Sequence, residues 1–183
     1  DERVFVNTEI LQAEGPAGED YRKRKLLEHY LEPVALKGDL KVMDVRLLLC
    51  LCEKHEWDSR RELADFAGIT RTNLTSGLQR LTMKGFLKVE EVKEPKPSKK
   101  DKTTGKNKTK TAEMAETKRK ERGGRIAVTI LPAADAVMKE LEMAQRDYDA
   151  ARFAGFTEEE LIKYAELSEK IKENTKNILY FLN

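Results

Sequence analysis

The chain predicts a mainly α-helical fold with one small β-hairpin (α+β), a winged helix-turn-helix carried between long helices at its two ends, and three stretches support this. Ser59–Phe86, SRRELADFAGITRTNLTSGLQRLTMKGF, reads as two short helices joined by a glycine-containing turn. Phe86–Lys93, FLKVEEVK, alternates apolar and polar residues imperfectly and Arg125–Leu131, RIAVTIL, cleanly, so they are expected to pair as a hairpin whose connecting loop is a wing. From Pro132 onward, apolar residues recur at helical spacing to the C-terminus.

The first helix of the pair opens at Ser59, with Glu62 three residues on, the spacing of a capping box in which hydroxyl and carboxylate satisfy free backbone N–H groups. Leu63, Ala64, Phe66 and Ala67 are expected to be buried, Gly68 to end the helix in the left-handed conformation, and Thr70 to cap the next. That second helix buries Leu74, Leu78 and Leu81, spaced four and three apart. At about 100° per residue, Thr72, Ser76 and Gln79 stand opposite this stripe, flanked by Asn73, Thr75 and Arg80, with Arg71 in the first turn. Hydroxyl, amide and guanidinium groups pair with base edges and phosphates, and no carboxylate stands among them to repel a polyanion. A solvated helix face is the plainer alternative, but such faces usually mix Lys with Glu. Thr72, Asn73, Ser76 and Gln79 are therefore candidates for base edges, and Arg71, Thr75 and Arg80 for the DNA backbone.

The order of a helix, SxxELADFAGITRTNLTSGLQRLTMKGFLKV, a basic hairpin and a long helical C-terminus opened by FTEEEL resembles the MarR family, bacterial regulators named for multiple antibiotic resistance. The resemblance covers Asp39–Asn183 and rests on order and spacing, since ELA and LxxKG occur across winged helices generally. It implies a homodimer held by the first and last helices, acting on double-stranded DNA and often answering to a small aromatic or acidic effector. The family's wing carries Asp-x-Arg; here Glu121, Arg122, Gly123, Gly124 and Arg125 stand in that place. Arg125 can serve as the wing arginine, with the acid that orients it left open. Where the family has Leu-Thr-x-x-Gly, this chain has Ile130, Leu131, Pro132, Ala133 and Ala134.

With 183 residues the chain suits one domain, or one subunit that shares its terminal helices. A net charge of +2 conceals an asymmetry: ten Lys and three Arg against five acids give residues 93–125 a charge of +8, leaving −6 for the rest. One concentrated basic segment on a slightly acidic body implies a polyanion met at a particular place. The longest apolar run, Leu47–Cys52, is too short to span a bilayer, and no signal peptide is visible, so a soluble, cytoplasmic protein is expected. Cys50 and Cys52 point about 200° apart on one helix, cannot bridge each other, and read as buried free thiols, with a redox sensor as the alternative. With only two histidines, no metal-ligand spacing exists, and no cofactor is implied.

Residues 1–38 are expected to form an arm and a first helix over Glu19–Ala35, where Leu27, Tyr30, Leu31 and Val34 recur at helical spacing behind the cationic cluster Arg22–Lys25. The winged-helix domain runs over 39–131, beginning with an apolar central helix at Asp39–His55 and closed by Trp57 in the core. Within it, 94–124 is an unusually long Lys-rich wing, poor in apolar residues and expected to be mobile, with room for a short helix at Ala112–Glu121. Lys118, Arg119, Arg122 and Arg125 are its candidates for backbone or minor-groove contact, a solvated insertion being the alternative.

Residues 132–183 are expected to form two dimerisation helices. Val137, Leu141, Ala144, Tyr148 and Ala151 make a heptad-like stripe, and Thr157 with Glu160 forms a second capping box before a last helix ending NILYFL, an apolar end that a second copy would cover.

These features point to a sequence-specific DNA-binding transcriptional regulator, expected to repress, working as a homodimer on a palindromic site. The alternative is a winged helix that serves as a protein-interaction module in a transcription or replication assembly. No glycine-rich phosphate loop and no nucleophile with a visible base suggest an enzyme. Tyr21, His29, Tyr30, His55, Trp57 and Tyr148 are available to line an effector pocket, but each such residue is more often simply packing, so no effector site is assigned.

Overall fold

The computed structural model describes residues 15–92 and 124–182. Among the described residues, six helices and a small antiparallel sheet follow one another as α1 (Pro16–Lys37), α2 (Val42–Glu53), β1 (Glu56–Trp57), α3 (Arg60–Ala67), α4 (Arg71–Met83), β2 (Leu87–Val92), β3 (Arg125–Ile130), α5 (Asp135–Arg152) and α6 (Glu158–Leu182). A 3-10 turn, Pro132–Ala134, leads into α5. This is the expected winged helix-turn-helix with long terminal helices. The N-terminal arm, the Lys-rich wing, the Ala112–Glu121 helix and Lys118, Arg119 and Arg122 lie outside the described residues.

The core forms where the apolar stripes of α1 to α5 meet the sheet. Leu31 of α1, Leu47, Leu48 and Leu51 of α2, Leu63 of α3, Leu74 and Leu81 of α4 and Leu141 of α5 are fully buried, together with Trp57, Leu87 and Ile126 of the sheet. Each buried side chain of this size contributes about 1.5–3 kcal/mol relative to an exposed one, which is what holds the short helices α3 and α4 in place. α2 is shorter than the expected Asp39–His55 helix: Lys41 is its N-cap, and the chain before it turns through Asp39, which takes a left-handed φ of 49°.

β3 is the middle strand of the order β1-β3-β2. It pairs with β2 from Leu87↔Ile130 to Val92↔Arg125, the expected hairpin, and with the two-residue β1 through Glu56↔Ala127 and Trp57↔Ile126. Ile126 and Val128 are buried and Ile130 half-buried, so the alternation seen in the sequence is the pleat of this strand.

Two expectations of burial are corrected. Phe66 is 51 % exposed, its ring leaning on Trp57 with centroids 5.0 Å apart, because α3 turns only Leu63, Ala64 and Ala67 fully inward. Cys52 is exposed and Cys50 only half-buried, since α2 faces the core with Leu47, Leu48 and Leu51, leaving Cys50 at the margin of that face and Cys52 outside it.

The chain divides into two compact units, Asp1–Ala144 and Gln145–Asn183. In the second, the capping box before α6 is complete: the Thr157 N–H donates to the Glu160 carboxylate at 2.8 Å and the Glu160 N–H to the Thr157 hydroxyl at 3.2 Å. Phe153 packs edge-on against Phe156 and Tyr164, closing the turn between α5 and α6. No residue of α6 is buried.

Candidate nucleic-acid interface

Local capping fixes where α3 and α4 begin and end. The Ser59 hydroxyl accepts the Glu62 N–H at 3.1 Å, as the spacing predicts, but the Glu62 carboxylate reaches back to the N–H of Asp58 (2.7 Å) instead of Ser59 and also accepts Lys54 Nζ (2.6 Å). Partial burial works against ionisation of Glu62, yet the Lys54 ammonium and the Asp58 N–H outweigh it and hold the carboxyl below its ordinary range. Gly68 stands at φ 64°, and the N–H of the following Ile69 closes on the Ala64 carbonyl at 3.0 Å, ending α3. Thr70 then accepts the Asn73 N–H at 3.2 Å and starts α4.

α4 buries Leu74, Gly77, Leu78 and Leu81. Arg71, Thr72, Asn73, Thr75 and Gln79 are consequently exposed and Ser76 is half-buried, so six of the seven expected contact residues lie on or beside one accessible face. The face carries no carboxylate. The Thr75 hydroxyl donates to the Arg71 carbonyl at 2.9 Å, which leaves its oxygen free to act only as an acceptor. Arg80 departs from the expectation. Its guanidinium is turned onto α2, where Nη2 and Nε donate to the two oxygens of Asp44 at 2.6 and 2.9 Å, and this pairing raises its already high pKa further.

Arg125 opens β3 and is exposed. The acids that orient it come from an unexpected place: Nη2 lies 3.5 Å from a Glu56 oxygen and Nε 3.6 Å from one of Asp58, both carried beside it by the β1–β3 pairing. The buried Asp44 and the exposed Glu56 and Asp58 are acids beside this surface that carry little signal in the sequence. A lone acid in VMDVRLLLCLC was the available signal for Asp44; a two-residue strand offers none.

A cleft of about 390 Å³ opens beside the C-terminal end of α4, lined by Asp39, Leu40, Lys41, Asp44, Arg80, Met83 and Lys84. Its charges are largely paired among themselves, Lys84 with Asp39 at 3.0 Å and Arg80 with Asp44. Among the described residues no group of three or more His, Cys, Asp or Glu is placed to hold a metal ion, and no helix is long and apolar enough to cross a membrane.

No protein-family model and no curated protein matches the chain by sequence. Solved structures match it in shape. MarR is 14 % identical with a TM-score of 0.60, covering 91 % of this chain and 95 % of its own. A MarR transcriptional regulator from Methanosarcina mazei is 11 % identical with a TM-score of 0.58, covering 93 % and 98 %. BpsR of Bordetella bronchiseptica, whose DNA binding is regulated by 6-hydroxynicotinic acid, is 14 % identical with a TM-score of 0.51, covering 85 % and 97 %. The chain therefore has the winged-helix fold of MarR-family transcriptional regulators.

Proposed function

We propose that the protein is a transcriptional repressor that binds double-stranded DNA sequence-specifically as a homodimer. The observation that carries this reading is the exposed, acid-free face of α4, held out by a helix-turn-helix capped at Ser59, Gly68 and Thr70. In a major groove, Thr72, Asn73, Ser76 and Gln79 would meet base edges while Arg71 and Thr75 grip the backbone. Arg125 and the wing cations Lys118, Arg119 and Arg122 would follow the neighbouring backbone or minor groove. An arginine already beside Glu56 and Asp58 is aimed before it meets phosphate, although surface pairs of this kind contribute at most about 1 kcal/mol.

The dimer is supported by α6. Leu161, Tyr164, Ile171, Ile178 and Leu182 fall on a three-four alternation completed by Ser168 and Thr175, and all five apolar members are at least 37 % exposed. A seam of this length in water would favour association, and a two-fold pair would read two half-sites about one helical turn apart. Responsiveness to a small aromatic acid is part of the proposal, supported by the likeness to BpsR.

Selection of bound duplexes from a randomised pool, followed by titration of the winner at several salt concentrations, tests the reading. The expected result is a palindrome bound about a thousandfold more tightly than random duplex. Equal, salt-sensitive binding to every duplex would overturn it in favour of a protein-interaction module with an electrostatic grip.

A further inference from the structure

Asp44 is the one buried carboxylate among the described residues, 1 % exposed on the side of α2 that faces α4. A carboxylate so placed persists only if its lone pairs are filled. It accepts three hydrogen bonds, from Arg80 Nη2 at 2.6 Å, Arg80 Nε at 2.9 Å and the Lys41 N–H at 3.2 Å. The Arg80 side chain is one-third exposed, so nothing in the packing forces it inward; the fork is what holds it.

Directly beside the fork sits Gly77, buried in α4. A Cβ there would lie 3.2 Å from Asp44 Oδ1 and 3.3 Å from Leu47 Cδ2, so α2 and α4 approach each other at this point as closely as a glycine allows. α2 is itself anchored by Leu47, Leu48 and Leu51, and its Arg46 donates to the Ala67 carbonyl at the end of α3 with an N–O distance of 3.1 Å. Both helices of the motif are thus tied to α2 by charged side chains. Ser76 and Gln79, expected at base edges, are the immediate neighbours of Gly77 and Arg80 along the helix.

We infer that Asp44 and Arg80 are positioning residues: their fork at the Gly77 contact sets the distance and rotation of α4 against α2, and thereby which base edges Ser76 and Gln79 reach, while Arg80 makes no phosphate contact of its own. This rests on the reading of α4 as a DNA-recognition helix. Moving the Arg80 fork to a phosphate would strand a buried carboxylate, whereas Arg71 and Arg125 have no buried partner to abandon.

The test uses the full chain with Arg80→Ala, Arg80→Lys, Asp44→Asn and the double variant Asp44→Asn/Arg80→Ala. Two measurements are made: affinity for the selected and a random duplex across salt concentrations, and amide hydrogen exchange along α2 and α4 without DNA. The expected result is that Asp44→Asn and Arg80→Ala each cut the selected-to-random ratio about tenfold, and that the double variant is no worse than either. The salt slope is expected to stay unchanged, with faster exchange in α4 but not in α2. Arg80→Lys, which keeps the charge and one bond but not the fork, is expected to fold and to lose part of the ratio. A salt slope flattened by about one in Arg80→Ala, with Asp44→Asn binding like the parent, would make Arg80 a phosphate contact and overturn the inference. Unchanged exchange in α4 on losing the fork would overturn it equally. If the parent protein distinguishes no duplex, the proposed function fails, and the exchange measurement still decides whether the fork positions α4.

Discussion

Replacing Gly77 with alanine sets two effects of known sign against each other. On an exposed helix the change would stabilise by about 1 kcal/mol, because alanine loses less conformational freedom on folding. At Gly77 the new methyl meets Asp44 Oδ1 at 3.2 Å and Leu47 Cδ2 at 3.3 Å, so a neighbour must give by a few tenths of an ångström. Asp44 is held by bonds of 2.6, 2.9 and 3.2 Å, and Leu47 is 1 % exposed in the core, so neither can yield. Overpacking of this kind costs about 1–3 kcal/mol, which exceeds the propensity gain and leaves a net loss of roughly 1 kcal/mol. For a chain of this size that lowers the melting temperature by about 2–4 °C, read by circular dichroism. Gly68→Ala is the control. Its Cβ would find only Arg46 Nη2, at 3.8 Å, but its φ of 64° imposes a backbone penalty of about 1–2 kcal/mol. Both variants are expected to melt lower, and only Gly77→Ala to change which duplex is preferred. A Gly77→Ala protein that melts above the parent would show that the α2–α4 contact yields, and the reasoning from close approach would be wrong.

Three further outcomes are expected. Gln79→Ala should relax sequence preference while Arg125→Ala weakens all duplexes alike, and titrations showing the reverse would exchange their roles. Ile171→Glu places a charge in the α6 seam, and sedimentation should then report monomer at concentrations where the parent is dimeric; an unchanged mass would remove α6 from the interface. Burial foremost, and then the neighbouring Glu53, push the Cys50 thiol up to about 11. Iodoacetamide at pH 8 should consequently label Cys50 far more slowly than a free thiol, and the rate should rise only toward pH 11. Because the folded state holds this proton more tightly than the unfolded one, its contribution to stability is complete below about pH 9 and is lost between there and about pH 11. Fast labelling of Cys50 at pH 8 would contradict the burial argument.

What was legible in the sequence was local. Ser59, Gly68, Thr70 and the Thr157–Glu160 pair act within three or four residues of themselves, so their spacing alone places the helix ends that the structure contains. The stripe Leu74, Leu78 and Leu81 fixed which side of α4 faces inward, and so which polar residues are presented outward. What escaped were pairings between distant residues. Asp44 and Arg80 are 36 positions apart, and nothing in the helical period of α4 distinguishes an arginine aimed at solvent from one turned onto a buried acid. The partners of Arg125 escaped for the same reason, because a strand of two residues has no period to detect. Phe66 shows the limit of apolar counting: eight residues of α3 have room to seal only one narrow stripe.

The placement of β3 in the middle of the sheet also bears on aggregation. Edge strands with unpaired backbone groups invite a second chain to add on, and here the two edges are β1 and β2. β1 is only two residues long, too short to serve as a template. β2 carries exposed Lys88, Glu90 and Glu91, with Lys88 and Glu90 paired at 2.9 Å, so an incoming strand would have to be laid against a charged rim. β3, whose apolar residues alternate most cleanly among the described strands, has both edges occupied. Sheet-to-sheet polymerisation is thereby discouraged at the places where it would begin, whereas the two-fold pairing proposed for α6 would close and stop growing.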